Sequence, residues 1–149
     1  MQPKICIDPE RLNRRIHELA QIGVLPEGGI SRLALTDADK AARDLFVSWL
    51  RELSLEVHID QVGNILAFQP GRGGDNPVLL GSHLDTVRAA GPLDGALGVL
   101  AELEVLQTLQ EQGIQNRRPL AVVAFTNEEG ARFTTDMMGS RAFCGELSV

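Results

Sequence analysis

The tightest constraint on this chain is a strand–helix–strand run between residues 78 and 125. Val78-Leu79-Leu80 is a short unbroken apolar stretch, the pattern of a central strand covered on both faces. From Gly95 to about Gln112 the apolar residues Leu97, Leu100, Ala101, Val105, Leu106 and Leu109 recur at helical spacing. Leu120–Phe125 is a second buried strand. Two strands joined by one helix make a parallel pair with a right-handed crossover. That commits the chain to the α/β class.

The segments before this unit read as two helices and a hairpin. Asp8-Pro9 opens the first helix, with Asp as cap and Pro at the first helical position; Leu12, Ile16 and Leu19 carry it to about Gln21. Residues 23–32 hold Pro26, Gly28 and Gly29 and read as loop. Thr36, with Asp39 three residues on, starts a second helix as a variant capping box. Its face of Ala42, Leu45, Phe46, Trp49, Leu50 and Leu53 is core. From Leu55 the period changes to two, so Leu55–Asp60 and Asn64–Phe68 form a hairpin, followed by a surface turn at 70–76. Residues 130–149 are loop with one short helix. The expected order is α-α-β-β-β-α-β, a mixed sheet in a single domain spanning 1–149.

Composition excludes several classes of function. Twenty acidic against 14 basic residues give a net charge of −6, and there is no Tyr among the 4% aromatics. A nucleic-acid binder needs a basic footprint or stacking platforms, and this chain has neither. The longest apolar runs fall far short of a membrane span, and the polar, charged segment Met1–Arg15 has no signal-peptide core. With Cys6 and Cys144 in no disulfide pattern, a cytoplasmic protein with reduced thiols is expected.

Three polar clusters fall where an open α/β sheet gathers its ligands, past the carboxyl ends of strands. They are Gly81-Ser82-His83-Leu84-Asp85, Asp94-Gly95, and Asn127-Glu128-Glu129-Gly130. His83 and Asp85 lie two apart, so on an extended backbone the Asp85 carboxylate can accept from one imidazole nitrogen and leave the other for a metal. An isolated His-X-Asp is better explained as a loop histidine satisfied by the neighbouring carboxylate. Asp94 alone reads as a helix cap, yet a carboxylate can also bridge two cations about 3.5–4 Å apart. Glu128 and Glu129 are adjacent and should diverge, one toward metal and one toward water as a general base. Their plain alternative is an exposed acidic turn.

Together these strings resemble a known family. Gly81-Ser82-His83-Leu84-Asp85-Thr86-Val87, Leu93-Asp94-Gly95-Ala96-Leu97-Gly98-Val99-Leu100, and Phe125-Thr126-Asn127-Glu128-Glu129-Gly130-Ala131-Arg132-Phe133 are similar to the amidase/hydantoinase/carbamoylase branch of the M20 metallopeptidase-like hydrolases. Met138-Gly139-Ser140, Arg32-Leu33-Ala34, Ala41-Ala42-Arg43-Asp44-Leu45 and Val62-Gly63-Asn64 extend the resemblance from about Pro9 onward. It implies part of a three-layer αβα catalytic domain that hydrolyses a C–N bond in a small carbamoyl or ureido compound: an N-carbamoyl-L-amino acid, allantoate or a β-ureido acid. In that reading His83 binds one divalent ion, Asp94 bridges two, Glu129 binds the second, Glu128 is the general base and Asp85 orients His83. Zn²⁺ or Mn²⁺ suits such mixed ligands, with Co²⁺ and Ni²⁺ also admissible.

The sequence departs from the family in one large respect. Family members are longer, with two further metal-binding histidines and a lid or dimerisation domain downstream, whereas no histidine follows His83. The expectation is therefore the N-terminal portion of such an enzyme, truncated before the lid: a shortened expression product, a truncated reading frame or half of a split protein, self-associating or completed by a missing part. The alternatives are a non-catalytic remnant with an incomplete metal site and an M20-type peptidase or deacylase. His17 and His58 match no family position and are read as structural or solvent-exposed.

Overall fold

A computed structural model describes residues 5–74 and 76–148. Two helices lead: α1 (Pro9–Leu19) and α2 (Asp37–Glu52). The hairpin follows as β1 (Glu56–Ile59) and β2 (Ile65–Gln69), then β3 (Val78–His83), α3 (Ala96–Glu111) and β4 (Leu120–Phe125). A one-and-a-half-turn helix, α4 (Met138–Phe143), closes the order. Asp75, in the turn expected at 70–76, lies outside the described residues.

Local chemistry sets the helix starts. Asp8 accepts the Glu10 and Arg11 amides at 3.0 Å and so caps α1. Thr36 accepts the Asp39 amide at 3.3 Å, while the Asp39 carboxylate reaches back to the Leu35 amide at 2.8 Å rather than to Thr36's own. The capping box is thus closed one residue upstream of the usual position.

The four strands run β1-β2-β4-β3, antiparallel except for the β3–β4 pair. The crossover expected from the sequence is present, with α3 between parallel strands. Two details differ from expectation. β3 extends through His83, so the histidine ends the strand instead of beginning the loop. β3 is also an edge strand, with Val78 and Leu79 at 38% and 36% exposure; the strands with neighbours on both sides are β2 and β4. An apolar run records what covers the faces of a strand and carries no information on which strands flank it.

The core lies between one face of the sheet and α2 and α3. Ile65, Ala67, Val122 and Ala124 from the strands meet Phe46, Leu50, Val99, Leu100, Leu103 and Leu106. Each large side chain buried there contributes about 1.5–3 kcal/mol. Trp49 joins this core as expected, with the Arg15 guanidinium 5.6 Å above its ring. Phe143 of α4 meets Phe125 edge-on, with ring centroids 6.0 Å apart. Gly98 lets α3 press against β3, because a Cβ there would overlap Ser82. Ser82 Oγ in turn donates to the Gly95 carbonyl at 2.8 Å, pinning the start of α3 to β3.

A buried charge ties α1 to α3. Glu104 is fully buried and accepts two 2.7 Å hydrogen bonds from Arg11, one from the Asp8 amide at 2.9 Å and one from Thr108 at 3.0 Å. Burial opposes its ionised form, but these donors outweigh it and hold the carboxyl below its ordinary range.

Candidate metal centre

The site forms where the parallel strands end. His83 is the last residue of β3, Asp94 and Gly95 precede α3, and Glu128 and Glu129 follow β4. One ligand atom from each of His83, Asp94 and Glu129 lies within 4.8 Å of the others. This is the one such group among the described residues.

His83 is nearly buried, and its Nδ1 lies 2.9 Å from the main-chain carbonyl of Asp85. A carbonyl only accepts, so Nδ1 carries the hydrogen, and Nε2 is the nitrogen that the neutral imidazole would offer to a metal. The sequence reading gave this orienting contact to the Asp85 carboxylate, which in fact stands 4.0 Å from Nδ1. That carboxylate instead accepts from the Glu128 amide at 3.2 Å and the Glu129 amide at 3.3 Å. Asp85 thereby staples the loop after β3 to the loop after β4.

The two glutamates do not diverge as alternation would have it. Asn127 adopts φ 52°, which breaks the extended geometry just before them. Glu128 Oε2 comes within 3.4 Å of His83 Nε2, and Glu129 converges on the same imidazole and on Asp94. Burial, followed by the hydrogen bond and charge of Asp94, pushes the Glu129 carboxyl up to about 7. Asp94 does not cap α3; Gly95 is the cap residue and no side chain serves the helix start.

A divalent cation fits this donor set. An imidazole lone pair and three carboxylates face one another, an arrangement that is unfavourable until a positive charge enters it. The space is kept by Gly95, at φ 61°: a Cβ there would overlap Cε1, Nδ1 and Nε2 of His83. The site is also supported from behind by Arg32, which is fully buried. Its Nε donates to the Leu84 carbonyl at 3.1 Å, and its main chain pairs with Thr86. Sequence reading noted Arg32 and Gly95 only within motif strings. The available signals were an arginine followed by Leu33 and Ala34 and a glycine next to a candidate ligand.

Residues 64–148 match peptidase family M28. The chain belongs to this family. Within the M28 and M20-like group its relatives are those expected from the sequence. It is 48% identical over 142 residues to the N-carbamoyl-L-amino acid amidohydrolase of Geobacillus stearothermophilus, covering 95% of this chain and 35% of that protein. A probable allantoate deiminase of Oryza sativa subsp. japonica is 40% identical over 136 residues, covering 89% of this chain and 28% of that one. The crystal structure of a hydantoinase/carbamoylase family amidase from Burkholderia ambifaria superposes with a TM-score of 0.94 at 49% identity, covering 97% of this chain and 36% of that one. This M28 family chain thus spans about a third of the length of the curated relatives it matches.

His17 is exposed and bonded to the Asn13 carbonyl, and His58 is exposed beside Glu56 and the Phe68 ring. Cys6 and Cys144 are exposed free thiols. No helix among the described residues is long and apolar enough to cross a membrane.

Proposed function

We propose that this chain supplies catalytic groups to a metal-dependent amidohydrolase acting on linear C–N bonds of carbamoyl or ureido compounds. The observation that carries the reading is the convergence of His83, Asp94 and Glu129 within 4.8 Å, with Glu128 beside them. His83 Nε2 and the carboxylates of Asp94 and Glu129 would hold divalent ions, Zn²⁺ or Mn²⁺ foremost. Such ions supply Lewis acidity, polarising a carbonyl and activating water.

The chain's own residues handle protons and positions. Glu128 is the general base: it takes a proton from water as the oxygen bonds to the carbamoyl carbon. It then delivers that proton to the nitrogen as the C–N bond breaks. Asp85 fixes the base and the neighbouring ligand through their amides, and through its carbonyl fixes the tautomer of His83. N-carbamoyl-L-amino acids and allantoate, after which two of the relatives are named, define the class to test.

A second reading has its own support. Three clustered ligands are fewer than two ions require, at about four ligands each with water or sharing included. On that count the chain alone holds one ion and turns nothing over. Elemental analysis after dialysis from Zn²⁺ and Mn²⁺ decides between the readings. Two retained ions per chain, with release of free amino acid from an N-carbamoyl-L-amino acid, support catalysis by this chain. One ion without turnover supports the second reading. Zn²⁺ retention by His83→Ala equal to that of the unaltered chain overturns the site itself.

A further inference from the structure

Three sequence segments seen in the motif strings touch none of the proposed ligands, yet all converge on one residue, Thr126. The Arg43 guanidinium donates to Thr126 Oγ1 at 3.3 Å and also to the Gly63 carbonyl. Asn64 Oδ1 accepts the Thr126 amide at 3.0 Å. The Gly139 amide donates to the Thr126 carbonyl at 2.9 Å. Thr126 is the first residue past β4, two residues before Glu128.

We propose that Asn64 is a positioning residue, whose buried carboxamide sets the loop carrying Glu128 and Glu129. The proposal rests on the metal-site reading for its catalytic meaning. Asn64 is fully buried and both ends of its side chain are used. Besides the bond to Thr126, Nδ2 donates to Asp60 at 2.8 Å and to the Gly139 carbonyl at 2.9 Å. The pairing of β2 with β4 ends at Ile65 and Ala124, so Asn64 continues the grip of the sheet beyond the ladder. Its carboxamide joins the outgoing limb of the loop at Thr126 to the returning limb at Gly139. The returning limb then holds the Asn127–Glu128 main chain directly: Met137 donates to the Glu128 carbonyl at 2.8 Å and Met138 to that of Asn127 at 3.2 Å.

The fit admits little variation. A Cβ on Gly139 would overlap Asn64 Oδ1 and the Thr126 nitrogen, so the glycine exists to let the carboxamide in. Aspartate at 64 would keep an acceptor for Thr126 but lose the donor to Gly139 and face the Asp60 carboxylate. The two ends of the site are therefore held separately. Arg32 secures the His83 side, Asn64 secures the glutamate side, and Asp85 links them.

Amide hydrogen exchange on the metal-free chain tests this, together with a calorimetric Zn²⁺ titration. Asn64→Ala is expected to lower protection at least about tenfold at the Glu128, Glu129 and Gly139 amides, since losing even one of its three hydrogen bonds costs about that factor. The paired β2 and β4 amides, such as those of Ala67 and Val122, keep their protection. The Zn²⁺ dissociation constant rises about tenfold, as for loss of other groups that support ligands. Equal loss in the loop and the ladder would make Asn64 a general stabiliser and overturn the proposal, as would an unchanged loop. If Asn64→Ala does not fold, Asn64→Asp carries the test, with the same loop-selective pattern expected and the same two results against it. Failure of the unaltered chain to bind Zn²⁺ overturns the metal reading, while the exchange data still decide whether Asn64 sets the loop.

Discussion

Glu102 is half-buried on α3, one of its carboxylate oxygens has no hydrogen-bond partner among the described residues, and burial pushes its carboxyl up to about 7. Because the folded state holds this proton more tightly than the unfolded chain, stability is highest below the unfolded pKa and falls as pH rises through about 7. Glu102→Gln should therefore add about 1–2 kcal/mol at pH 8, after allowing for partial solvent screening, and nothing near pH 4. Urea unfolding across that range reads the difference; an equal gain at both ends would remove burial of the charge as its cause. Glu128→Gln belongs to the same scale. It should keep Zn²⁺ binding while lowering any carbamoyl hydrolysis about 10²–10⁴-fold, the usual contribution of a general base. Unchanged turnover in that variant would take the base role away from Glu128. The five residues proposed for the site could be picked out one by one, because His and acidic residues that follow strand ends or precede a helix stand out. Their contacts were not: Asp85 works through its main-chain carbonyl on His83 and through its carboxylate on the Glu128 and Glu129 amides, and the αL turn at Asn127 brings together glutamates that alternation would separate.

At the scale of elements, sequence periodicity located α1 to α3 and the four strands because each shows its amphipathic or apolar signature within a few residues, whereas α4 was expected only as one short helix somewhere in 130–149. Leu120–Phe125 is bounded as read, and Asp8 and Thr36 cap the helices they were expected to cap. The placement of β3 at the edge was not legible, since strand order depends on pairings between distant segments. The joint between α1 and α3 was hidden for the same reason: Arg11 and Glu104 lie 93 residues apart. That joint makes a sharp prediction. Glu104→Ala leaves Arg11 with its main partner removed and Arg15 more nearly alone in its buried setting, so it should cost about 3–5 kcal/mol. Loss of α1 protection in hydrogen exchange, ahead of the sheet, would mark the joint as the point of failure. A cost within 1 kcal/mol would mean the bidentate pair contributes little beyond its own desolvation.

At the scale of the molecule, the outer edge of β3 has no partner among the described residues, and Val78 and Leu79 are exposed along it. Unpaired, apolar strand edges recruit other strands. The chain should self-associate as concentration rises, and Val78→Lys should shift the mass measured by light scattering toward that of the monomer. A unaltered chain that stays monomeric throughout would show the edge to be protected by its twist or its neighbours.

Gly95 gives the site a property of another kind. Its Cα lies against the imidazole of His83, so even the smallest side chain would push the ring from its place. Every substitution at this codon adds a Cβ. In a library of single variants sorted by zinc retention, position 95 would therefore tolerate as little as a ligand, although glycine offers no donor atom. Intolerance there would record an outline that must stay empty, and a map of the site drawn from donor atoms alone would leave it out.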